Sequence, residues 1–189
     1  MPANSLNVTR TAVLMAVCIA LNVGLNKLAV VLALPVFMDC IGTILSSALL
    51  PPLSCVLVGV VSNLIGGVTT HPAIPFYAGT QVVIALMSIV AFRRGWFDKL
   101  WSAIAVGLAI GVVSAIVSSP ITVLLFGGVT APGATAINAI LMAAGQNIWT
   151  AVLSGTLIVS SIDKVIATVV VWLLLRRLPN RIKRSEQQR

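Results

Sequence analysis

The sequence predicts an all-α polytopic membrane protein, a single compact domain (1–189) of six transmembrane helices. Three observations carry this. Of its 189 residues 59% are hydrophobic and only 8% charged, with mean hydropathy +1.09, where a soluble domain carries about 25% charged residues to cover its surface. Apolar runs near spanning length follow one another with little between them, and a span takes about 20 such residues. The cations gather at the ends of those runs, where the positive-inside rule places cytoplasmic charge.

The first span covers 11–28, with Thr9 or Thr11 available as a cap. Arg10 ahead of it resembles the start of a secretory leader, but the run is long and further hydrophobic segments follow at once, so it is read as retained. The second span, 36–50, ends at Pro51-Pro52, which permits only a tight turn into the third, 53–66. Gly66 to Pro72 is a loop rich in helix breakers. The fourth span, 74–92, is closed by Arg93-Arg94-Gly95, and the fifth covers 100–126 with Pro120 near its far end. After a Gly/Pro-containing loop comes an ambiguous stretch, 137–157, either a seventh span or a helical excursion on the outer side. The last span is 162–175, and a basic tail, 177–189, follows.

Charge arbitrates the count. With six spans and the N-terminus inside, Arg10, Arg93, Arg94, Lys99 and the C-terminal cations all face the cytoplasm, leaving only Lys27 and Lys164 toward the outside. A seventh span would split the two termini. The net charge of +8 is therefore a topology signal, with no aromatic-interleaved basic face of the kind that binds nucleic acid.

Polar groups within apolar runs are costly and each needs a reason. Here they are Asn22, Asn26, Lys27, Asp39, Thr43, Asn63, Gln81, Gln146, Asn147, Asp163 and Lys164, with His71 and Tyr77 at a loop and the helix after it. Most fall in the outer half, which points to a pocket opening outward. Asp39 and Asp163 require partners, and Lys27 or Lys164 can supply one. On the first helix Ala12, Ala16 and Ala20 form a stripe at spacing four, about 100° around from Asn22 and Asn26. Such stripes let another helix approach closely, within the chain or from a partner. Cys18, Cys40 and Cys55 have no metal or redox spacing and read as packing residues. His71 reads as a loop residue rather than a metal ligand. Phosphate-loop, zinc-helix and nucleophile-elbow motifs are missing, and four acidic residues are too few and too scattered for a carboxylate hydrolase. No catalytic residue, metal or cofactor is expected.

Val36-Phe37-Met38-Asp39-Cys40-Ile41-Gly42-Thr43, Leu49-Leu50-Pro51-Pro52, Val58 to Gly67, Ile162-Asp163-Lys164-Val165-Ile166 and Leu174 to Pro179, in this order and spacing, resemble the substrate-binding S components of energy-coupling factor (ECF) vitamin transporters. The resemblance covers nearly the whole chain; the family's usual Gly-Pro is here Pro51-Pro52, which still dictates a tight turn. It implies an S-component-like bundle in the cytoplasmic membrane of a prokaryote, both termini cytoplasmic. It implies a transmembrane coupling subunit (EcfT type) and two ATPase subunits as partners, with Ala12, Ala16 and Ala20 contacting the coupling subunit. It further implies a micronutrient pocket built from outer loops and helix ends, which maps onto Asn63, Thr70, His71, Tyr77, Gln81, Asn147, Trp149 and Asp163. Amides and aromatics suit a planar, hydrogen-bonding ligand. With few outer cations, a neutral or weakly charged heterocycle fits better than a polyanion such as folate; pyridoxal-type vitamers, riboflavin, a deazapurine, or a corrinoid ligated by His71 or a cysteine stay open. Two rival readings stand beside this one: the membrane sensor module of a signalling system, and a small ion-coupled carrier relaying through Asp39 and Asp163.

Overall fold

The computed structural model describes residues 3–130 and 132–177, so most of the basic tail read from the sequence (177–189) lies outside the described residues. Every element among the described residues is helical: α1 (Ala3–Val31), α2 (Ile41–Leu49), α3 (Pro52–Thr69), a 3-10 turn (Ile74–Tyr77) running into α4 (Ala78–Arg93), α5 (Leu100–Phe126), α6 (Pro132–Ala143) and α7 (Ile148–Arg177). Among the described residues, five helical stretches are long and apolar enough to cross a membrane: Val8–Val31, Pro52–Thr69, Ile74–Arg93, Leu100–Phe126 and Ile148–Arg177. The chain is a multi-pass membrane protein of bundled helices.

Two expected spans take a different form. The stretch 36–50 contains only the nine-residue α2, about 14 Å long and far short of a bilayer core of about 30 Å. Pro35 cannot continue a helix, and Ala33 (φ 50°) and Met38 (φ 51°) turn the chain left-handed, so residues 32–40 run as an irregular connector. Backbone of this kind is tolerated at membrane depth only where protein surrounds it, and α2 packs against α1, α3, α4 and α7. Accordingly Ile41, Gly42, Thr43, Ile44, Leu45 and Ser46 are all buried. The last span begins at Ile148, not near 162. Asp163 and Lys164 suggest a membrane boundary when read singly, but they neutralise each other inside the bundle and the helix passes through them. The ambiguous stretch 137–157 breaks at Gly145 (φ 91°), between α6 and α7. With 12 residues, α6 is about 18 Å long, a short excursion packed on α7.

The turns follow local chemistry. Leu50 is extended (φ −132°, ψ 157°), as a residue before proline prefers, and Pro52 opens α3 at a position where its missing N–H costs nothing. Gly127 closes α5 in the left-handed conformation (φ 57°). Asn147 caps α7, its Oδ1 accepting from the Thr150 N–H at 3.0 Å.

The tightest packing joins α5 and α7, which run antiparallel. A Cβ on Gly107 would lie 2.8 Å from Val165 Cα, and one on Gly111 2.6 Å from Ser161 Cα. Absent side chains let these backbones touch, which is how helices associate without a hydrophobic drive from lipid. Arg93, Arg94, Lys99, Arg176 and Arg177 mark one end of the bundle. An apolar core of Leu49, Leu50, Phe97, Val106, Val171 and Leu175 fills that end. The other end is polar.

Candidate functional site

The polar end begins with the connector. Its irregular backbone leaves groups without helical partners, and side chains from three helices satisfy them. Asp163 Oδ1 accepts from the N–H groups of Phe37 (3.1 Å) and Met38 (2.7 Å). Asn26 Nδ2 donates to the Phe37 carbonyl at 2.8 Å, and Gln81 Nε2 to that of Asp39 at 2.9 Å. Asn22 Oδ1 accepts from the Gly42 N–H at 2.7 Å, and its Nδ2 reaches Thr43 Oγ1 (2.9 Å) and Ser62 Oγ (3.1 Å). Thr43 in turn donates to Gln81 Oε1 at 3.1 Å. Much of the intramembrane polarity is thus committed to holding one irregular segment.

Beneath the connector lies a cavity of about 170 Å³. The connector contributes Phe37 and Asp39. Asn63 and His71 come from the end of α3 and its loop, and Tyr77, Thr80 and Gln81 from the start of α4. Two hydroxyl-bearing rows complete the wall: Ser114, Ser118 and Thr122 on α5, and Thr156, Ser160 and Lys164 on α7, each at spacing four and so on one helical face. Where Gly107 and Gly111 give way to Ser114, the seam between α5 and α7 opens into the cavity.

Charge concentrates at one wall. Lys164 Nζ lies 2.9 Å from Asp39 Oδ1 and 2.6 Å from Asp163 Oδ2, and 5.7 Å from the centre of the Phe37 ring. Asp163 and Lys164 are buried; the Asp39 side chain is 26% exposed. Asp163 receives only donors, two backbone N–H groups and the ammonium, so it serves as a carboxylate. Asp39, Cys40 and Asp163 place their ligating atoms within 4.8 Å of one another, but the Lys164 ammonium already stands between the two carboxylates. Two hydroxyls of wall residues, on Thr80 (8% exposed) and Ser114 (2% exposed), are buried and have no hydrogen-bond partner among the described residues. Leaving a buried hydroxyl unpaired costs about 1–3 kcal/mol. The Tyr77 hydroxyl, by contrast, shares a 2.9 Å hydrogen bond with Thr122, and its ring stacks on Phe126 at 6.0 Å.

Of the residues assigned to a pocket from the sequence, Asn63, His71, Tyr77 and Gln81 line the cavity. Asp163 sits behind the wall, holding the connector. Thr70 lies beside the cavity without lining it. Asn147 and Trp149 are exposed at the start of α7, where Asn147 is a helix cap. Sequence reasoning missed Thr80 and both hydroxyl rows. The signal was present as serine and threonine recurring every fourth residue in otherwise apolar helices, ending on α7 at Lys164. Ala12, Ala16 and Ala20 are exposed on the outside of α1, and Gly24 extends their stripe. The opposite face buries Cys18, Asn22 and Ala29.

Compared with known proteins, the chain matches no family model, no curated protein and no solved structure.

Proposed function

We propose that this chain is a substrate-binding and translocating subunit of an ECF-type importer. It takes a small micronutrient from outside the cell and depends on a coupling subunit and ATPases for release. The observation that carries the reading is the cavity itself: a chamber at one end of an apolar bundle, with the polar side chains of Asp39, Asn63, His71, Tyr77, Gln81 and Lys164 in its wall. The end opposite the cavity carries the cations, so the positive-inside rule turns the cavity outward. The stripe of Ala12, Ala16, Ala20 and Gly24, exposed on α1, offers a close-approach seam to a helix of the coupling subunit.

The test is affinity purification of the tagged chain from membranes of its own host, with the co-purifying subunits identified. A transmembrane coupling subunit and two ATPases are expected, and Ala16→Trp is expected to release them while the chain stays folded. Recovery of the chain alone from gentle detergents and from nanodiscs sinks the reading. The Asp39–Lys164–Asp163 cluster favours a second reading, an ion-coupled carrier, because intramembrane carboxylates mark ion pathways. Uptake into liposomes driven by a proton or sodium gradient, with no ATPase present, decides for that alternative.

A further inference from the structure

We propose that the cavity selects a small organic cation: a molecule of about one ring with polar substituents and one positive charge, set against Asp39. The inference rests on the binding-subunit reading and adds the chemical class of the ligand.

Charge comes first. Two carboxylates, Asp39 in the wall and Asp163 behind it, stand against the single ammonium of Lys164. Asp163 is saturated by the ammonium and two backbone N–H groups. Asp39 is not: its Oδ1 accepts from Lys164 at 2.9 Å, and no donor among the described residues reaches its Oδ2. It also lines the cavity and is the more exposed carboxylate of the pair. The site therefore carries one uncompensated negative charge in a low-dielectric interior, where a bound cation gains most and a bound anion is repelled. An anion finds no free cation in the wall, because Lys164 is already shared between two carboxylates.

Size and polarity narrow the class. A cavity of about 150 Å³ takes a benzene ring, and drug-sized ligands occupy about 300–1,000 Å³. The 170 Å³ here fits one ring with short substituents, not a flavin, a pterin conjugate or a corrinoid. Independently of the charge, Thr80 and Ser114 line that space, and their hydroxyl oxygens are buried without a hydrogen-bond partner among the described residues. A hydroxyl donates or accepts as required, so a turn of either side chain toward the ligand pairs it with a polar substituent of either kind.

The experiment is native mass spectrometry of the full chain purified in a mild detergent, with any bound molecule ejected and identified. If the chain emerges empty, thermal-shift titration follows with a matched trio (1-methylnicotinamide, nicotinamide and nicotinate) within a panel of single-ring compounds sorted by charge. We expect a single-ring cation, either bound as purified or stabilising the chain more than its neutral and anionic counterparts. Asp39→Asn keeps an oxygen for Lys164 and the Asp163–Lys164 pair. It is expected to weaken the cation about ten- to a hundredfold, the loss of one charge-assisted contact, while changing a neutral analogue's affinity less than threefold. Ser114→Ala gives a second reading on polar substituents, with the ligand-free melting temperature as the check on folding. A neutral or anionic ligand, or one insensitive to Asp39→Asn, overturns the charge assignment and leaves the binding subunit standing. An empty chain that responds to no member of the panel overturns both.

Discussion

The two ends of the bundle are built on opposite principles. At the cation-bearing end the connectors are short, Leu50–Pro51 and residues 94–99, and the interior is aliphatic and aromatic. Phe92 and Phe97 stack there at 3.9 Å with their planes 6° apart. At the other end runs the long irregular connector 32–40, held by side-chain amides and a carboxylate. Packing is replaced by polar satisfaction, and the price is a set of groups that tolerate no loss of a partner. An end meant only to hold helices together needs none of this, which is why the cavity belongs with the irregular segments.

The sharpest way to break the comparison is Lys164→Met. It leaves Asp39 and Asp163 uncompensated and should destabilise the chain by about 3–5 kcal/mol, the cost of stranding a buried charge. Thermal melting in detergent checks it, and Val171→Ala at the apolar end serves as the packing reference. A smaller loss for Lys164→Met than for Val171→Ala contradicts the division of labour. Next comes Gly111→Ala, whose Cβ would meet the Ser161 backbone. About 1–3 kcal/mol is expected from overpacking the α5–α7 seam, together with a fall in ligand affinity because the seam opens directly into the cavity.

Two serines then separate the ends cleanly. Ser114 and Ser88 are both buried with unpartnered hydroxyls, but only Ser114 lines the cavity. Alanine at either site removes an unsatisfied group, so each variant should be neutral or up to about 1 kcal/mol more stable. Ser114→Ala alone should weaken ligand binding; equal effects of the two would detach the cavity from function. Smallest of all is Ala16→Trp, expected to shift the melting temperature by less than 2 °C (about 0.5 kcal/mol or less), because Ala16 faces outward. Its effect should appear only in subunit association.

The helical spans were legible because hydrophobicity is local: a run such as 100–126 declares itself from composition, and α5 covers those residues. Asn63, His71, Tyr77 and Gln81 were legible as polar or aromatic residues beside apolar runs. Trp149 and Asn147, assigned to a pocket from the sequence, do not line this cavity, for the converse reason. They are the right residue types at a helix end, but that end lies outside the cavity, and nothing in a linear reading tells which helix terminus closes on which. Thr80, Ser114 and Ser160 escaped notice because a hydroxyl within an apolar helix bonds its own backbone as readily as a ligand. Only the arrangement of neighbouring helices shows which ones are left without a partner.

By itself the sequence determined that this protein is helical, that it lies in a membrane, and which end of its helices carries the cations. Each of these follows from transfer free energies and charge placement that act residue by residue. The tertiary structure decided that α2 is a short buried helix and that α7 runs through Asp163 and Lys164. It also decided that two rows of hydroxyls, on the neighbouring helices α5 and α7, line one cavity. These depend on which groups, more than 120 positions apart for Asp39 and Lys164, meet in a medium with no water to satisfy them. A buried charge is tolerable only beside its partner, and that partner is a fact of the fold.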